Sequence, residues 1–464
     1  MVFKIITKNK FLYQYLASFT GCLCIISTGM HYGWPSPALP ILLSPDSSIK
    51  ISDEEGAMIS TIQEYGNVVG APLAAFIVDR IGRKLCILSS APIFFIGWIL
   101  MAKINSLSVV YACRFFAGVA DGIIYTALPM YLGEITHPSV RGLSGTLFQV
   151  FFVFGSLMFN ILGSLVSLRM ATYIAASIPL IQILTFSFMP ESPYYLVMRG
   201  KVDEAEASLK TLNNGEDISH TLKDITSAIN EKKNEKPNRW EIFTEPSNRK
   251  AIYISFGLRL FQQFTGITAL NFYIQEIFVE LDVPMEPSTI SIIYFGLQFI
   301  MCSLVSIVID STGRKPLLLY SFGGTALATI TLASYFFWSK DLDLSGSNIR
   351  YIPISAMFFY IVIYNVGLAS TPMLTLSEMF NARVKAVAIC SADIFTSALI
   401  ILVSMFFQFT KDNFGIYVSF TTFTIVSILG GLFVIYFVPE TKGMTLEQIQ
   451  DYLKGVKKEK IELA

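Results

Sequence analysis

Two stretches of this chain share one pattern: Asp79-Arg80-Ile81-Gly82-Arg83-Lys84 and Asp310-Ser311-Thr312-Gly313-Arg314-Lys315. Each stretch follows a long apolar run and precedes another. An acid, a turn glycine and a basic pair that recur between apolar runs indicate two copies of one helical unit. Internal duplication of this kind is typical of membrane transporters, in which the substrate site lies at the interface of the repeats.

The composition is that of an integral membrane protein. Hydrophobic residues make up 53% of the 464 residues, and charged residues only 15%. Because 34 basic residues balance 34 acidic ones, the net charge favours no nucleic-acid partner. The six cysteines lie in or beside apolar runs, where they act as small hydrophobes, so neither a disulfide framework nor a metal site is predicted.

Apolar runs of about 20 residues are long enough to cross the hydrocarbon core of a bilayer. Twelve such runs are predicted, near residues 13–33, 57–78, 85–103, 107–129, 143–164, 170–189, 250–279, 288–309, 316–338, 351–377, 386–410 and 415–438. Segments of this length satisfy their backbone hydrogen bonds in lipid only as helices. The predicted fold is therefore all-α, with twelve transmembrane helices in two six-helix bundles.

The distribution of lysine and arginine predicts that both termini are cytosolic, because most basic residues fall in the segments that this orientation places inside. The predicted organisation is a first bundle at 1–190, a cytosolic loop at 191–248, a second bundle at 249–438 and a cytosolic tail at 439–464. Helical spacing in the loop predicts short amphipathic helices over 202–212 and 218–229, lying at the inner surface.

Further motifs give a resemblance that covers nearly the whole chain. They are Pro129-Met130-Tyr131-Leu132-Gly133-Glu134, Arg141-Gly142, Pro190-Glu191-Ser192-Pro193, Gln262-Gln263-Phe264-Thr265-Gly266-Ile267 and Pro439-Glu440-Thr441-Lys442-Gly443. In this order and spacing the chain resembles the sugar porter family of the major facilitator superfamily. The end of the first span, Gly33-Trp34-Pro35-Ser36-Pro37, is most similar to the facilitated trehalose transporters of insects.

Charged residues gather at the predicted cytosolic ends of the spans in both halves. They are Asp79, Arg83, Glu134, Arg141 and Glu191 in the first half, and Asp310, Arg314, Glu378, Lys385 and Glu440 in the second. Such groups can pair in one arrangement of the halves and separate in another, which biases a two-state equilibrium. The resemblance implies that they latch the outward-facing state, whereas the simpler interpretation is that basic residues hold the loops inside. Lys385 stands where the family usually has Arg, so it loses bidentate geometry.

A sugar site requires neutral amides and hydroxyls that face an apolar surround near the middle of the membrane. Gln149, Gln262 and Gln263 meet this need, and by resemblance they match three sugar-contacting glutamines. At the other sugar-contacting positions of the family this chain has different side chains, namely Thr268, Gln298, Asn365 and Thr396. The alternative for these polar residues is hydrogen bonding between helices. Met373 stands where a tryptophan often covers the sugar.

Charged residues inside spans are costly and usually functional. Arg259 lies one helical turn before Gln262 and Gln263, so it is a candidate for substrate coupling; an ion pair between spans is the alternative. Candidate partners for Arg114 and Arg259 are Asp121, Asp393, Glu64 and Glu276. His31 lies where, by resemblance, proton-coupled sugar porters carry an aspartate, so it is a candidate coupling residue.

The preferred prediction is a uniporter for a small sugar, hexose or trehalose, that works by alternating access of the two halves. No cofactor, metal or enzymatic activity is predicted, and the expected partners are a sugar and the lipid bilayer. The expected protein is a monomer in the plasma membrane. A proton–sugar symporter and a non-transporting sugar sensor are the alternatives.

Overall fold

A computed structural model describes residues 11–47, 49–213, 218–234, 245–279, 285–339, 348–380, 382–440, 442, 448–449 and 452. The chain divides into two compact units, Met1–Lys236 and Pro237–Ala464.

The first unit contains eleven helices in its described residues. In chain order they are α1 (Leu12–Gly33), α2 (Pro35–Leu43), α3 (Asp53–Ile81), α4 (Arg83–Lys103), α5 (Leu107–Ile135), α6 (Pro138–Leu165), α7 (Leu168–Ala175), α8 (Ser177–Phe186), α9 (Pro193–Met198), α10 (Val202–Leu212) and α11 (Ser219–Asn234).

The second unit continues the series. Its described α-helices are α12 (Pro246–Gln262), α13 (Thr268–Val279), α14 (Pro287–Thr312), α15 (Arg314–Trp338), α16 (Ile352–Gly367), α17 (Thr371–Met379), α18 (Ala382–Asn413) and α19 (Ile416–Phe437). A π-helical segment, Gln263–Ile267, joins α12 to α13, and a 3₁₀ turn, Asn348–Tyr351, precedes α16.

Each of the twelve predicted spans coincides with one helix or with two consecutive helices, so the all-α prediction is confirmed. Nine helical stretches within the described residues are long and apolar enough to cross a membrane. Many of their apolar side chains point outward: Leu184 is 69% exposed and Tyr436 is 76% exposed, whereas Trp98 is fully buried. This distribution fits a bundle surrounded by lipid, where an exposed apolar side chain carries no penalty.

Each break within a membrane span of the second unit has a local cause. Gly266 in the π-helical segment has a φ of 98°, a left-handed conformation that favours glycine over residues with a Cβ. Between α16 and α17 the helix ends after Gly367 and restarts with Pro372 in its first turn, where proline costs no hydrogen bond. Both breaks place backbone groups and polar side chains within reach of each other in the second unit.

The repeated Asp-x-x-Gly-Arg-Lys stretch forms the same turn in both units. Gly82 has a φ of 99° between α3 and α4, and Gly313 has a φ of 96° between α14 and α15. A residue with a Cβ would be strained at these angles. The glycine therefore ends one span and lets the Arg-Lys pair begin the next.

Helices α3 and α5 approach closely because small residues lie at their contact. A Cβ on Gly118 would overlap the carbonyl oxygen of Gln63, and a Cβ on Gly66 would overlap that of Phe115. Small residues allow such close backbone approach in membrane bundles. This contact fixes the positions of the polar residues on both helices.

The predicted cytosolic loop contains the two predicted helices, α10 and α11, and both belong to the first unit. Their apolar side chains pack on each other and on α9, through residues that include Leu196, Ala205, Leu209 and Ile225. The amphipathic faces are thus covered by protein, which accounts for their spacing.

Candidate functional site

At the end of α5 the first unit contains a buried ion pair. Arg83 donates to both carboxylate oxygens of Glu134, from Nε at 2.9 and 3.2 Å and from Nη2 at 3.1 Å. Arg83 also pairs with Asp79 at 2.9 Å. The Arg83 side chain is only 5% exposed, whereas that of Asp79 is 57% exposed. The Glu134 contact is therefore the better shielded of the two.

Glu191 caps the turn at Gly82. Its carboxylate accepts hydrogen bonds from the backbone N–H of Lys84 at 3.1 and 3.2 Å and from that of Ser192 at 2.7 Å. A Cβ on Gly82 would overlap this carboxylate, so the glycine is needed for the contact as well as for the turn. Burial raises the pKa of the Glu191 carboxyl above its ordinary value, against the opposing effect of these hydrogen bonds.

Ser192 belongs to this cluster, although sequence reasoning did not select it. Its hydroxyl donates to Glu134 and accepts from the backbone N–H of Tyr195 at 3.3 Å, which makes it the N-cap of α9. Its place directly before a proline at the first helical position is a sequence signature of a helix start. That signature could have identified it.

The second unit repeats this arrangement. Glu440 accepts from the backbone N–H of Arg314 at 2.9 Å and from that of Lys315 at 3.0 Å. Arg314 in turn donates to Glu378 from Nη2 at 2.8 Å and from Nε at 3.2 Å. The lysine side chains also correspond: Lys84 donates to the carbonyl of Ser187, and Lys315 to that of Ile435.

The arginine pair is present in both copies. Arg83 bonds Glu134 and Arg314 bonds Glu378, in each case through Nε and Nη2. The side chains of Arg141, Asp310 and Lys385, which were predicted members of the clusters, lie outside the described part of the structure. The recorded contacts of both clusters join helices of the same unit.

The broken span of the second unit carries the predicted glutamines. Gln262 donates from Nε2 to the carbonyl of Leu368 at 2.6 Å and to the hydroxyl of Tyr364 at 3.2 Å. Its Oε1 accepts from Arg259 at 3.0 Å. The amide of Gln262 therefore connects α12 to the end of α16.

Gln263 and Thr268 are brought together across the π-helical segment, where the Thr268 hydroxyl donates to Oε1 of Gln263 at 2.8 Å. The Thr265 hydroxyl contacts that of Tyr360 at 3.0 Å, and Tyr294 donates to Asn271 at 3.1 Å. Sequence reasoning missed this tyrosine set. Its members are buried hydroxyls on otherwise apolar helices, a pattern that resembles ordinary core packing.

The other predicted sugar contacts are more dispersed. Asn365 is buried on α16, where its Nδ2 donates to Ile361 at 2.8 Å and its Oδ1 has no partner among the described residues. Thr396 bonds the Ala392 carbonyl of its own helix at 2.7 Å. Gln298 is buried on α14. Gln149 is half-buried on α6 of the first unit.

Among the proposed acidic partners of Arg259, Asp393 is the one whose charge interacts with the guanidinium. The Arg259 guanidinium itself bonds Gln262 and, at 3.2 Å, the sulfur of Met373. Glu276, another candidate, pairs with Lys411 instead. The direct partners of Arg259 are therefore neutral.

Arg114 and His31 lie close together in the first unit. Arg114 donates to backbone carbonyls, to Ile59 at 2.6 Å and to His31 at 3.0 Å. The His31 ring stacks on Trp98 with centroids 3.7 Å apart, and within the described residues neither ring nitrogen has a hydrogen-bond partner.

A duplicated set of membrane-spanning helices with buried amides and charged turns defines a multi-pass membrane transporter. The model of the family described as "Sugar (and other) transporter" matches residues 14–453. The chain therefore belongs to this family of sugar transporters, and the predicted membership is confirmed.

The curated relatives include facilitated trehalose transporters of insects. That of Bombyx mori is 31% identical over 97% of this chain and 88% of its own length. That of Polypedilum vanderplanki is 29% identical over 95% of this chain and 88% of its own. The relative from Drosophila virilis is 29% identical, but the chain spans only 49% of its length.

The solved structures confirm the major facilitator fold. The xylose transporter of E. coli in its inward-open conformation superposes with a TM-score of 0.77 at 21% identity, over 96% of this chain and 100% of that one. A structure of the proton:xylose symporter bound to 6-bromo-6-deoxy-D-glucose gives a TM-score of 0.73. At this identity the likeness concerns the fold alone.

Proposed function

We propose that this chain is a facilitative transporter of a small neutral sugar, hexose or trehalose, and that it works by alternating access. The observation that carries the proposal is the broken span of the second unit. It places the amides of Gln262 and Gln263 and the hydroxyl of Thr268 in one buried polar segment within an apolar bundle. Neutral donors and acceptors in an apolar surround suit an uncharged polyol.

The two glutamines have different tasks in this proposal. Because Arg259, Tyr364 and Leu368 already bond the Gln262 amide, a sugar has to exchange those bonds. In Gln263 the recorded bond uses only Oε1, which leaves the NH₂ group for a sugar hydroxyl. Gln149, Gln298, Asn365 and Thr396 complete the proposed sugar contacts.

The charged turns supply the proposed gate. Each turn glutamate holds a backbone turn and each arginine holds a second glutamate, so every cluster links several helix ends at once. Clusters of this kind can bias an equilibrium between two states of a transporter. We place the gate on the cytosolic side of the plasma membrane, with both termini in the cytosol.

The test is uptake of radiolabelled glucose, fructose and trehalose into transporter-deficient cells. We expect Gln263→Ala to lower uptake at low sugar concentration by about tenfold, since one lost hydrogen bond to a buried ligand costs about 1–1.5 kcal/mol. Gln182→Ala is the matched control, because this buried glutamine belongs to the first unit and donates to Ile87 of the same unit.

Uptake should bring the sugar to equal concentrations on both sides of the membrane, without accumulation above equilibrium. Accumulation above equilibrium that requires an imposed proton gradient would identify a symporter instead. Sugar binding without any uptake would identify a sensor. Full uptake by Gln263→Ala, with normal dependence on sugar concentration, would remove Gln263 from the site.

A further inference from the structure

Three polar side chains from three helices meet inside the first unit. Asp121 on α5 accepts hydrogen bonds from the Thr28 hydroxyl of α1 at 2.7 Å and from Nε2 of Gln63 on α3 at 2.6 Å. All three residues are at most 3% exposed. An ionisable residue at such a position inside a membrane bundle is costly and points to a function.

The carboxylate has no direct cationic partner among the described residues of this bundle. The cation whose charge acts on it, Arg114, lies two helical turns earlier on α5 and directs its guanidinium to the carbonyls of Ile59, His31 and Ser60, at 2.6, 3.0 and 3.5 Å. Asp121 is thus held only by neutral donors. Burying an ionised carboxylate without a paired cation costs more than burying a protonated one.

Gln63 can form a hydrogen bond with Asp121 whether the carboxyl group is ionised or protonated. In the structure its NH₂ group donates to the carboxylate, while its Oε1 is buried and has no hydrogen-bond partner in the described residues. If the amide group flips, so that Oε1 takes the position of Nε2, Oε1 can accept a hydrogen bond from the protonated Asp121. The 2.6 Å separation suits an O–H···O bond as well as a short charge-assisted N–H···O bond.

Other titratable groups face this cluster from each helix. Cys24 and His31 come from α1, Glu64 from α3 and Arg114 from α5. Near the Asp121 carboxylate, Glu64 contributes a charge of the same sign and Arg114 a charge of the opposite sign. The His31 ring contacts Phe94 and Trp98, and its nitrogens have no hydrogen-bond partner in the described bundle, so His31 makes no hydrogen bond to Asp121.

We propose that Asp121, with Gln63 and Thr28, is a proton-binding site, and that its protonation speeds sugar exchange. When Asp121 is ionised, its charge-assisted hydrogen bonds connect α5 to α1 and α3. Such bonds are roughly twice as strong as neutral ones. Adding one proton replaces them with weaker bonds, so the three helices rearrange more easily. The expected effect on sugar exchange rests on the proposed function of this chain as a sugar transporter.

The experiment is equilibrium exchange of radiolabelled trehalose and glucose by the purified full-length chain in liposomes, with equal pH on both sides. We expect the native rate to fall by more than about threefold across the roughly two pH units in which a single carboxyl goes from about 90% protonated to about 10%. Asp121→Asn, which mimics the protonated acid, should exchange at the fast rate throughout. Glu64→Gln is the matched control, because it leaves Asp121 in place: its exchange rate should still fall with rising pH, with a midpoint moved by the loss of the neighbouring charge.

Thr28→Val provides a second variant that leaves the acid in place. Loss of this donor removes stabilisation of the ionised form, so the midpoint of the native profile should move to higher pH. A merely structural role for Thr28 would leave the midpoint unchanged. The same shift keeps the proposal testable if Asp121→Asn does not fold.

A readout independent of sugar separates this proposal from the proposed function. Infrared difference spectroscopy of the native chain, titrated without sugar, should show a buried carboxylic acid band that is absent in Asp121→Asn and present in Glu64→Gln. If the native chain exchanges no sugar but shows this band, the proposed function fails and the proton site stands. A native rate that is flat or rises with pH, a pH dependence that persists in Asp121→Asn, or a band lost only in Glu64→Gln would overturn the proposal.

Discussion

Burial of the arginine pair distinguishes the two copies of the charged turn at the scale of single residues. The side chains of Arg83 and Glu134 are 5% and 17% exposed, whereas those of Arg314 and Glu378 are 10% and 24% exposed. The fork of Arg83 bonds both oxygens of Glu134. Lysine keeps the charge at such a site but cannot reproduce the fork.

We expect Arg83→Lys to lower the free energy of unfolding by about 1–2 kcal/mol, as charged hydrogen bonds in a buried pair are lost. Arg314→Lys should cost less, because its pair is less buried. Thermal unfolding of both variants in the same detergent measures the difference. Equal losses would show that this difference in burial has no effect on stability.

Glu191 gives the charged turn a pH dependence. Its pKa is raised by burial, so over the window between the ordinary value of 4.5 and the folded value the folded state binds more protons than the unfolded one. Stability should therefore fall as the pH rises through that window, and the loss is complete above the folded pKa. Glu191→Gln removes a group that titrates, so its unfolding temperature should change less over the same range.

A fair control for that experiment is Glu54→Gln, which changes an exposed glutamate in the first turn of α3. It should leave the native pH profile in place. A Glu191→Gln profile parallel to that of the native chain would mean that burial of this carboxyl has no bearing on stability.

At the scale of helices, close packing of α3 on α5 supports the buried polar cluster around Asp121. Gly118 faces the Gln63 carbonyl, and Gly122 faces the backbone of Gly70 and Ala71. Both glycines flank Asp121 on the same helix. Gln63, the donor on α3, can reach Asp121 only while this close approach is kept.

Gly118→Ala should therefore destabilise the protein by about 3 kcal/mol or more, since its Cβ would meet backbone atoms that cannot move aside. Gly133→Ala on the same helix is the control: a Cβ there meets nothing within 4 Å, and alanine favours a helix by about 0.5–1 kcal/mol over glycine. Unfolding temperatures in detergent compare the two. A tolerated Gly118→Ala would mean that the helices can separate without loss.

The existence of the helices was predictable because span length is set by the bilayer and leaves a strong apolar pattern. The break at Gly266 was not predicted, since one glycine in an apolar run does not reveal a positive φ. For the site, the resemblance selected Gln262 and Gln263, and helical spacing placed Arg259 beside them. The bond from Thr268 to Gln263 depends on the π-helical break, and the bond from Gln262 to Tyr364 depends on how the broken helix meets α16. Contacts between distant segments leave no periodic pattern in the sequence.

At the scale of the whole molecule, duplication predicts that each unit is stabilised by its own charged turn. The recorded hydrogen bonds of Glu191 stay within the first unit, and those of Glu440 stay within the second. Effects at independent sites add, whereas coupled sites deviate from the sum. The repeat therefore offers a direct measurement of communication between the units.

We expect the stability losses of Glu191→Gln and Glu440→Gln to add in the double variant to within about 0.5 kcal/mol. Each glutamine retains one acceptor for the backbone turn but loses the charge that strengthens the bond. Unfolding of the native chain, both single variants and the double variant in one detergent completes the cycle. An interaction energy above about 1 kcal/mol would instead show that the stability of one turn depends on the other.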